Sequence, residues 1–241
     1  MNFTFNAPTA LEYFASLVQS DEHFPLLEAA ASLGQDEYPE LDIEEVLERV
    51  DQLHARVRQR VPADAGAIQK LRVLNKFFFD EQGFAGNLNN YYDPDNSYVH
   101  VVMHTHRGIP ISLAVLWLEL AQGLGLDAKG VGFPGHFLVK VRLPYPNEGQ
   151  VVMDPFSGES LSKEDLQERL APLHAETGLL RDGAVSDELL KHYLRAATPR
   201  EMVARMLRNL EELHAARQDV ERLALVRQRL AVLLPSVDDE D

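Results

Sequence analysis

The sequence predicts an α+β fold, in which a buried central helix packs on a small antiparallel sheet and helical parts lie before and after this core. Three observations predict it. Residues 109–124 are apolar on nearly every side, interrupted only by Ser112, Glu119 and Gln122, and a helix apolar all round is a buried one. Two runs rich in Val and Phe, GVGFPGHFLVKVRL (130–143) and GQVVMDPF (149–156), are joined through PYPNEG, which reads as strands with a hairpin connection. The first 60 residues and residues 199–235 carry apolar side chains at helical spacing with charges between them.

Each element has a local cause. TALEYFASLVQS begins at Thr9 with Glu12 three residues on, the spacing of a capping box. PLLEAAASLG has proline just inside its start (Pro25) and glycine at its end (Gly34). In 42–61, Ile43, Val46, Leu47, Val50, Leu53 and Val57 form one helical face. Residues 66–79 suit a further helix. DEQGFAGNLNNYYDPDNSY, rich in Gly, Asn and Asp, is a long loop. Its Asp93, Asp95 and Asn96 lack the glycine and bidentate Glu of an EF-hand, so ordinary turn chemistry is expected. Gly125 ends the central helix, and 162–195 reads as helical again. The tail breaks near Gln218–Asp219 and stops at Pro235; it resembles one tetratricopeptide-type helical hairpin. The final VDDED reads as a frayed acidic end.

Composition narrows the function classes. The chain has 241 residues, 45% of them hydrophobic, and a net charge of −15. That charge disfavours nucleic acid and anionic lipid as partners. There is no cysteine, which removes disulfides, thiolate metal sites and a cysteine nucleophile. MNFTFNAPTALEYF lacks a basic segment followed by an apolar run, so no signal peptide is expected. The longest apolar stretch is too short to span a bilayer. The expectation is a soluble, cytoplasmic protein.

Gly130, Gly132 and Gly135 spell G-x-G-x-x-G. A dinucleotide site needs a helix after that loop, and HFLVKV reads as a strand, so the motif is set aside. His136 opens one strand and Asp154 closes the next. Across a hairpin these two can stand side by side, the carboxylate fixing the imidazole's tautomer and stabilising its charged form.

Residues from about 70 to 160 resemble the transglutaminase-like superfamily, with its papain-like cysteine fold. GFAGNLNNYYDPDNSYVH, HRGIPISLAVLWLELAQGLGL, GFPGHFLVKV and DPFSG look like the bacterial branch named for regulators of sirC expression, whose core is followed by tetratricopeptide-like helices. The resemblance implies a Cys at the start of the central helix, then a His and an Asp on successive strands. Gly108, Ala114 and Leu124–Gly125 fit the helix pattern without gaps, so Pro110 occupies the cysteine slot, and His136 and Asp154 fall on the His and Asp. Proline supplies neither a nucleophile nor a backbone N–H. In papain-like enzymes that amide helps form the oxyanion hole, and losing one such donor typically costs about 3–4 kcal/mol of transition-state stabilisation. Proline does suit the first turn of a helix. Ser112 is the one nearby hydroxyl. In a regular helix it lies about 200° around from Pro110, which turns it away from whatever faces His136.

The expected function is therefore non-catalytic: a transglutaminase-like pseudoenzyme with a binding or regulatory role. The candidate cleft residues are Phe133, Gly135, His136, Phe137 and Asp154, with glycines for close approach and phenylalanines for apolar or stacking contact. The competing class is an amide or ester hydrolase using Ser112 or water with His136 and Asp154. A weaker alternative is a histidine metal site at His100, His104 and His106. No cofactor is expected, and the sequence leaves the protein or small-molecule partner and the oligomeric state open. The expected divisions are an N-terminal helical lobe (1–60), a transglutaminase-like core (61–170) and C-terminal helices (171–241), with the hairpin at about 199–235.

Overall fold

The structure, a computed structural model, describes residues 8–145, 148–174, 180–181 and 184–235. The N-terminal residues 1–7, residues 146–147 of the hairpin connection and the acidic run 237–241 lie outside them.

Helix α1 (Ala10–Leu17) has the expected capping box: Thr9 accepts from the Glu12 amide, and the Glu12 carboxylate accepts from the Thr9 amide at 2.8 Å. Helix α2 (Leu26–Ser32) does not stop at Gly34. It tightens into a 3₁₀ turn over Leu33–Asp36. Gly34 serves packing instead, because a Cβ there would stand 2.8 Å from the His100 ring. Helix α3 (Ile43–Arg58) is capped by Asp42. The single helix expected over 66–79 divides into α4 (Ala67–Asn75) and a π-type segment, Lys76–Glu81, closed by the Gln82 amide on the Phe77 carbonyl. The wider turn goes with burial of the adjacent Phe77 and Phe78 together.

The long loop contains β1 (Ala85–Gly86) and a 3₁₀ turn, Pro94–Ser97. Its acidic residues do turn chemistry: Asp93 accepts from the Asp95 amide at 3.2 Å, and Asp95 accepts from the Tyr38 hydroxyl at 2.6 Å. Helix α5 (Val99–Thr105) ends at His106, which takes a left-handed φ of 57°. Then β2 (Arg107–Gly108) pairs parallel with β1 and leads into the central helix α6 (Pro110–Gly123). Every residue of α6 from Pro110 to Leu118 is buried. Its Trp117 indole N–H, which cannot be left unpaired there, donates to Asn75 Oδ1 at 3.1 Å.

The sheet has the order β3 (Asp127–Val131), β4 (Leu138–Leu143), β5 (Gly149–Met153), β6 (Ser160–Leu161), all antiparallel. Residues 130–143 are therefore not one strand. They are the end of β3 and all of β4, with 132–137 leaving the sheet, since Pro134 has no N–H for a ladder and Gly135 sits at φ 68°. Gly130 lies within β3, where a Cβ would come 2.8 Å from the Phe137 ring and 2.9 Å from the Met202 sulfur. Its role is close packing, and a strand follows it.

The helical reading of 162–195 also needs correction. Between α7 (Lys163–His174) and α8 (Asp187–Tyr193), two short strands, β7 (Leu180–Arg181) and β8 (Ala184–Val185), pair antiparallel. The sequence has Gly178 and Gly183 in this stretch, which lower its helical propensity. The chain ends in a helical hairpin, α9 (Pro199–Ala216) and α10 (Val220–Leu233), turned at Gln218 with φ 57°.

One cluster of buried side chains runs from Phe14 in α1 to Leu233 in α10, with α6 inside it. A smaller cluster of Phe133, Leu138, Leu166, Leu190 and Leu194 joins the sheet to α7 and α8. Among the described residues, no helix is long and apolar enough to cross a membrane.

Arginines fasten the terminal hairpin to the first helices. Arg229, 1% exposed, donates twice to Asp36 at 2.6 and 2.8 Å and lies over the Phe14 ring. Arg222 grips Glu37. Arg200 donates to the carbonyls of Val18 and Leu233, each at 2.6 Å. Replacing Arg229 with Ala leaves Asp36 without its partner and is expected to cost about 3 kcal/mol. Arg229→Met, which keeps the apolar stem, is expected to lose less. Urea unfolding of the three proteins checks this, and equal losses for Ala and Met would contradict it.

Candidate functional site

The site assembles where three elements meet. The β4–β5 register pairs Val139 with Met153, so the chain before β4 and the chain after β5 leave the sheet at one corner. That corner holds both His136, two residues ahead of β4, and Asp154, directly after β5. Neither residue is inside a strand, although the sequence reading has His136 open one strand and Asp154 close the next. His136 is fixed by its amide, which donates to the Phe133 carbonyl at 3.0 Å.

His136 Nε2 stands 2.8 Å from Asp154 Oδ1. The carboxylate oxygen lies off the line of a ring N–H, so Nε2 has no well-aligned hydrogen bond among the described residues. The contact is a close electrostatic one. Asp154 is itself well held: Oδ1 accepts from the Phe156 amide at 2.9 Å, and Oδ2 lies 3.2 Å from an Arg169 guanidinium nitrogen. Burial pushes its pKa up, but His136, the Phe156 amide and Arg169 together outweigh burial and hold it below its ordinary 3.8.

Pro110 is the first residue of α6, with Ile109 as N-cap. Ile109, Pro110 and Ile111 line a cavity of about 410 Å³ together with Gly135, His136 and Phe137. Pro110 and His136 thus share one cleft. Tyr91 and Tyr92 of the long loop line it too, and so do Arg205, Asn209, Glu212, Leu213 and Ala216 of α9. Tyr91 packs on Phe156 at 5.9 Å, and Phe156 on His136 at 6.4 Å.

Ser112 is elsewhere. It is fully buried; its hydroxyl donates to the Asn96 carbonyl at 2.6 Å and receives the Ile109 amide at 3.2 Å. It is the third helical residue, so its oxygen takes up the N-cap amide and ties α6 to the 3₁₀ turn. It is not part of the cleft wall. Phe133 is 1% exposed and belongs to the smaller core cluster beside Tyr193. Its ring faces away from the cleft because residues 132–137 turn back on themselves, whereas Phe137 stays on the wall. Asp154 lies behind His136 and is not a lining residue.

The three histidines of 100–106 do not converge. His100 is enclosed by Tyr38, at 4.6 Å between rings, and Tyr98, and burial pushes its pKa down. His104 is exposed, and His106 rests on Phe84 at 4.5 Å. Among the described residues, no three His, Cys, Asp or Glu side chains stand together as a metal would require.

A larger depression, of about 1070 Å³, lies over β3 and β4 with Lys129, Lys140 and Arg142. It contains neither His136 nor Asp154. The sequence reading missed Arg169 and the whole α9 wall. Arg169 has no sequence signal, because its approach to Asp154 depends on how α7 packs on the sheet.

A helix start, a histidine and a carboxylate meeting at the corner of an antiparallel sheet define a transglutaminase-like core. The chain belongs to the transglutaminase-like superfamily, whose family model matches residues 44–208. A UPF0162 protein of Xylella fastidiosa (strain Temecula1 / ATCC 700964) is 38% identical over 217 residues, which cover 90% of this chain and 74% of that protein. A UPF0162 protein of Pseudomonas aeruginosa is 32% identical over 209 residues, covering 87% and 66%. F-box only protein 21 of Homo sapiens is 40% identical over 72 residues, 30% of this chain and 12% of that one. No solved structure matches the chain.

The Asp154 geometry has a pH consequence. A carboxylate whose folded pKa is depressed stabilises the fold above its unfolded pKa, about 4, and that contribution is lost as pH falls through the folded value. His136→Ala is expected to raise the Asp154 pKa and move the acid limb of unfolding to higher pH. A carboxyl-carbon NMR titration of Asp154 reads it directly. An unchanged value would mean that Arg169 and the Phe156 amide hold the carboxylate without the histidine.

Proposed function

We propose that this chain is a non-catalytic, cytoplasmic member of the superfamily whose cleft binds a ligand without turning it over. The observation that carries this reading is Pro110, placed at the helix start inside the His136 cleft. A papain-like step needs a nucleophile there and a backbone amide to hold the developing oxyanion. Proline offers neither. The hydroxyl two residues on, of Ser112, already bonds the Asn96 carbonyl and the Ile109 amide. In this reading the His136–Asp154 pair shapes the cleft and presents a polar group to its contents. The resemblance to the branch named for regulators of sirC expression extends the reading to a regulatory role, exercised through the cleft or through the tetratricopeptide-like hairpin α9–α10.

The competing reading is a hydrolase that uses water or Ser112, and the intact His136–Asp154 pair is what favours it. Intact-mass labelling with a fluorophosphonate and turnover of p-nitrophenyl acetate separate the two. No adduct and no His136-dependent turnover are expected. An adduct lost in Ser112→Ala and His136→Ala, or turnover lost in His136→Ala, would overturn the non-catalytic reading.

A second variant tests the geometry behind it. The chain has no cysteine, so Pro110→Cys introduces one thiol at the start of α6. That thiol is expected to react with iodoacetamide with a midpoint below the free value of about 8.5, through the helix N-terminus and His136. The midpoint is expected to rise when His136→Ala is added. An unchanged midpoint would show that His136 does not face position 110.

A further inference from the structure

We propose that the cleft takes a small amphipathic anion, with a carboxylate or phosphate held by Arg205 and an apolar or aromatic body against Tyr91, Pro110 and Phe137. This rests on the reading of the cleft as a ligand site and names the chemical class of the ligand.

Arg205 is half-buried on α9 and lines two cavities at once. One is the His136 cleft. The other, of about 390 Å³, also takes in Arg195, Arg200 and Arg208. Arg195 is held by Glu201 at 2.7 Å, and Arg200 by Asp21 at 2.7 Å and two backbone carbonyls. Arg205 and Arg208 make no ion pair among the described residues. In a chain with 38 acidic and 23 basic residues, carboxylates are abundant. Arg205 is thus a half-buried guanidinium with no ion-pair partner among the described residues, with Arg208 unpaired beside it.

Guanidinium presents a planar fork of donors that matches carboxylate and phosphate. The negative groups near it are accounted for. Glu201 is taken by Arg195 and by the Thr198 amide. Glu212 lines the cleft seven residues further along α9, about 10 Å away along the helix. It opposes an anion at its own end and so directs the anionic group to the Arg205 end. The cleft volume of about 410 Å³ falls in the small-molecule range. Its apolar and aromatic lining asks for a ligand body of the same character.

The test is a fluorescence titration of the full chain with 8-anilino-1-naphthalenesulfonate, an aromatic anion, against N-phenyl-1-naphthylamine, the same rings without the charge. One anion site is expected, with the neutral probe at least tenfold weaker. Arg205→Gln should weaken the anion at least tenfold and leave the neutral probe unchanged. Glu212→Gln should tighten the anion about twofold or more, which keeps the test decisive if Arg205→Gln does not fold. Displacement by benzoate and by phenyl phosphate then ranks carboxylate against phosphate. Equal binding of the two probes, or an anion affinity indifferent to both substitutions, would overturn the proposal. The two readings fail separately: ester turnover with charge-selective binding sinks only the non-catalytic reading. No turnover with charge-blind binding sinks only the anion.

Discussion

The first nine residues of helix α6, Pro110 to Leu118, are all buried, and much of the structure follows from that constraint. A helix start buried on every side has nowhere to hide an unpaired polar group. Its start is therefore built from residues that leave few: Pro110 brings no N–H, and Ser112 takes up the Ile109 amide while bonding the Asn96 carbonyl. Its one indole N–H reaches Asn75. The helices α2, α3, α5 and α9 and the strands β3 and β4 pack around it. Pro110 is thus a residue well matched to a buried helix start.

The second organising force is charge. The terminal hairpin is tied to the first helices by Arg229–Asp36, Arg222–Glu37 and the bonds of Arg200 to Val18 and Leu233. Those contacts fix where α9 lies, and α9 is one wall of the cleft. A chain end that reads as an appendage in sequence therefore completes the site. The family match, residues 44–208, likewise runs from α3 into α9. The contribution of such pairs is geometric as much as energetic, because a buried pair gains little over a well-packed apolar one but is costly to break.

The central helix, the antiparallel sheet, the Thr9 capping box and the terminal hairpin were legible because each has a local signature: apolar periodicity, a cap, a turn residue. The encounter of His136 with Asp154 was legible from their places on either side of a hairpin. The misreadings also have local causes. Residues 132–137 are rich in Val, Phe and Gly in the manner of a strand, yet Pro134 and Gly135 take them out of the ladder. Phe133 and Phe137 look equivalent in sequence, but one lies in the smaller core beside Tyr193 and the other on the cleft wall.

The sequence by itself determined the α+β class, the buried helix beginning at Pro110 and the absence of any cysteine chemistry, since these depend on residue identity and short-range periodicity. Only the tertiary structure decided that Arg169 supports Asp154, that Ser112 is withdrawn from the cleft, and that Arg205 and Glu212 line the same cleft as His136. Arg169 is 15 residues from Asp154 in the chain, and α9 follows the whole sheet. Such contacts arise from how helices dock on a finished core, and no local pattern of residues encodes that docking.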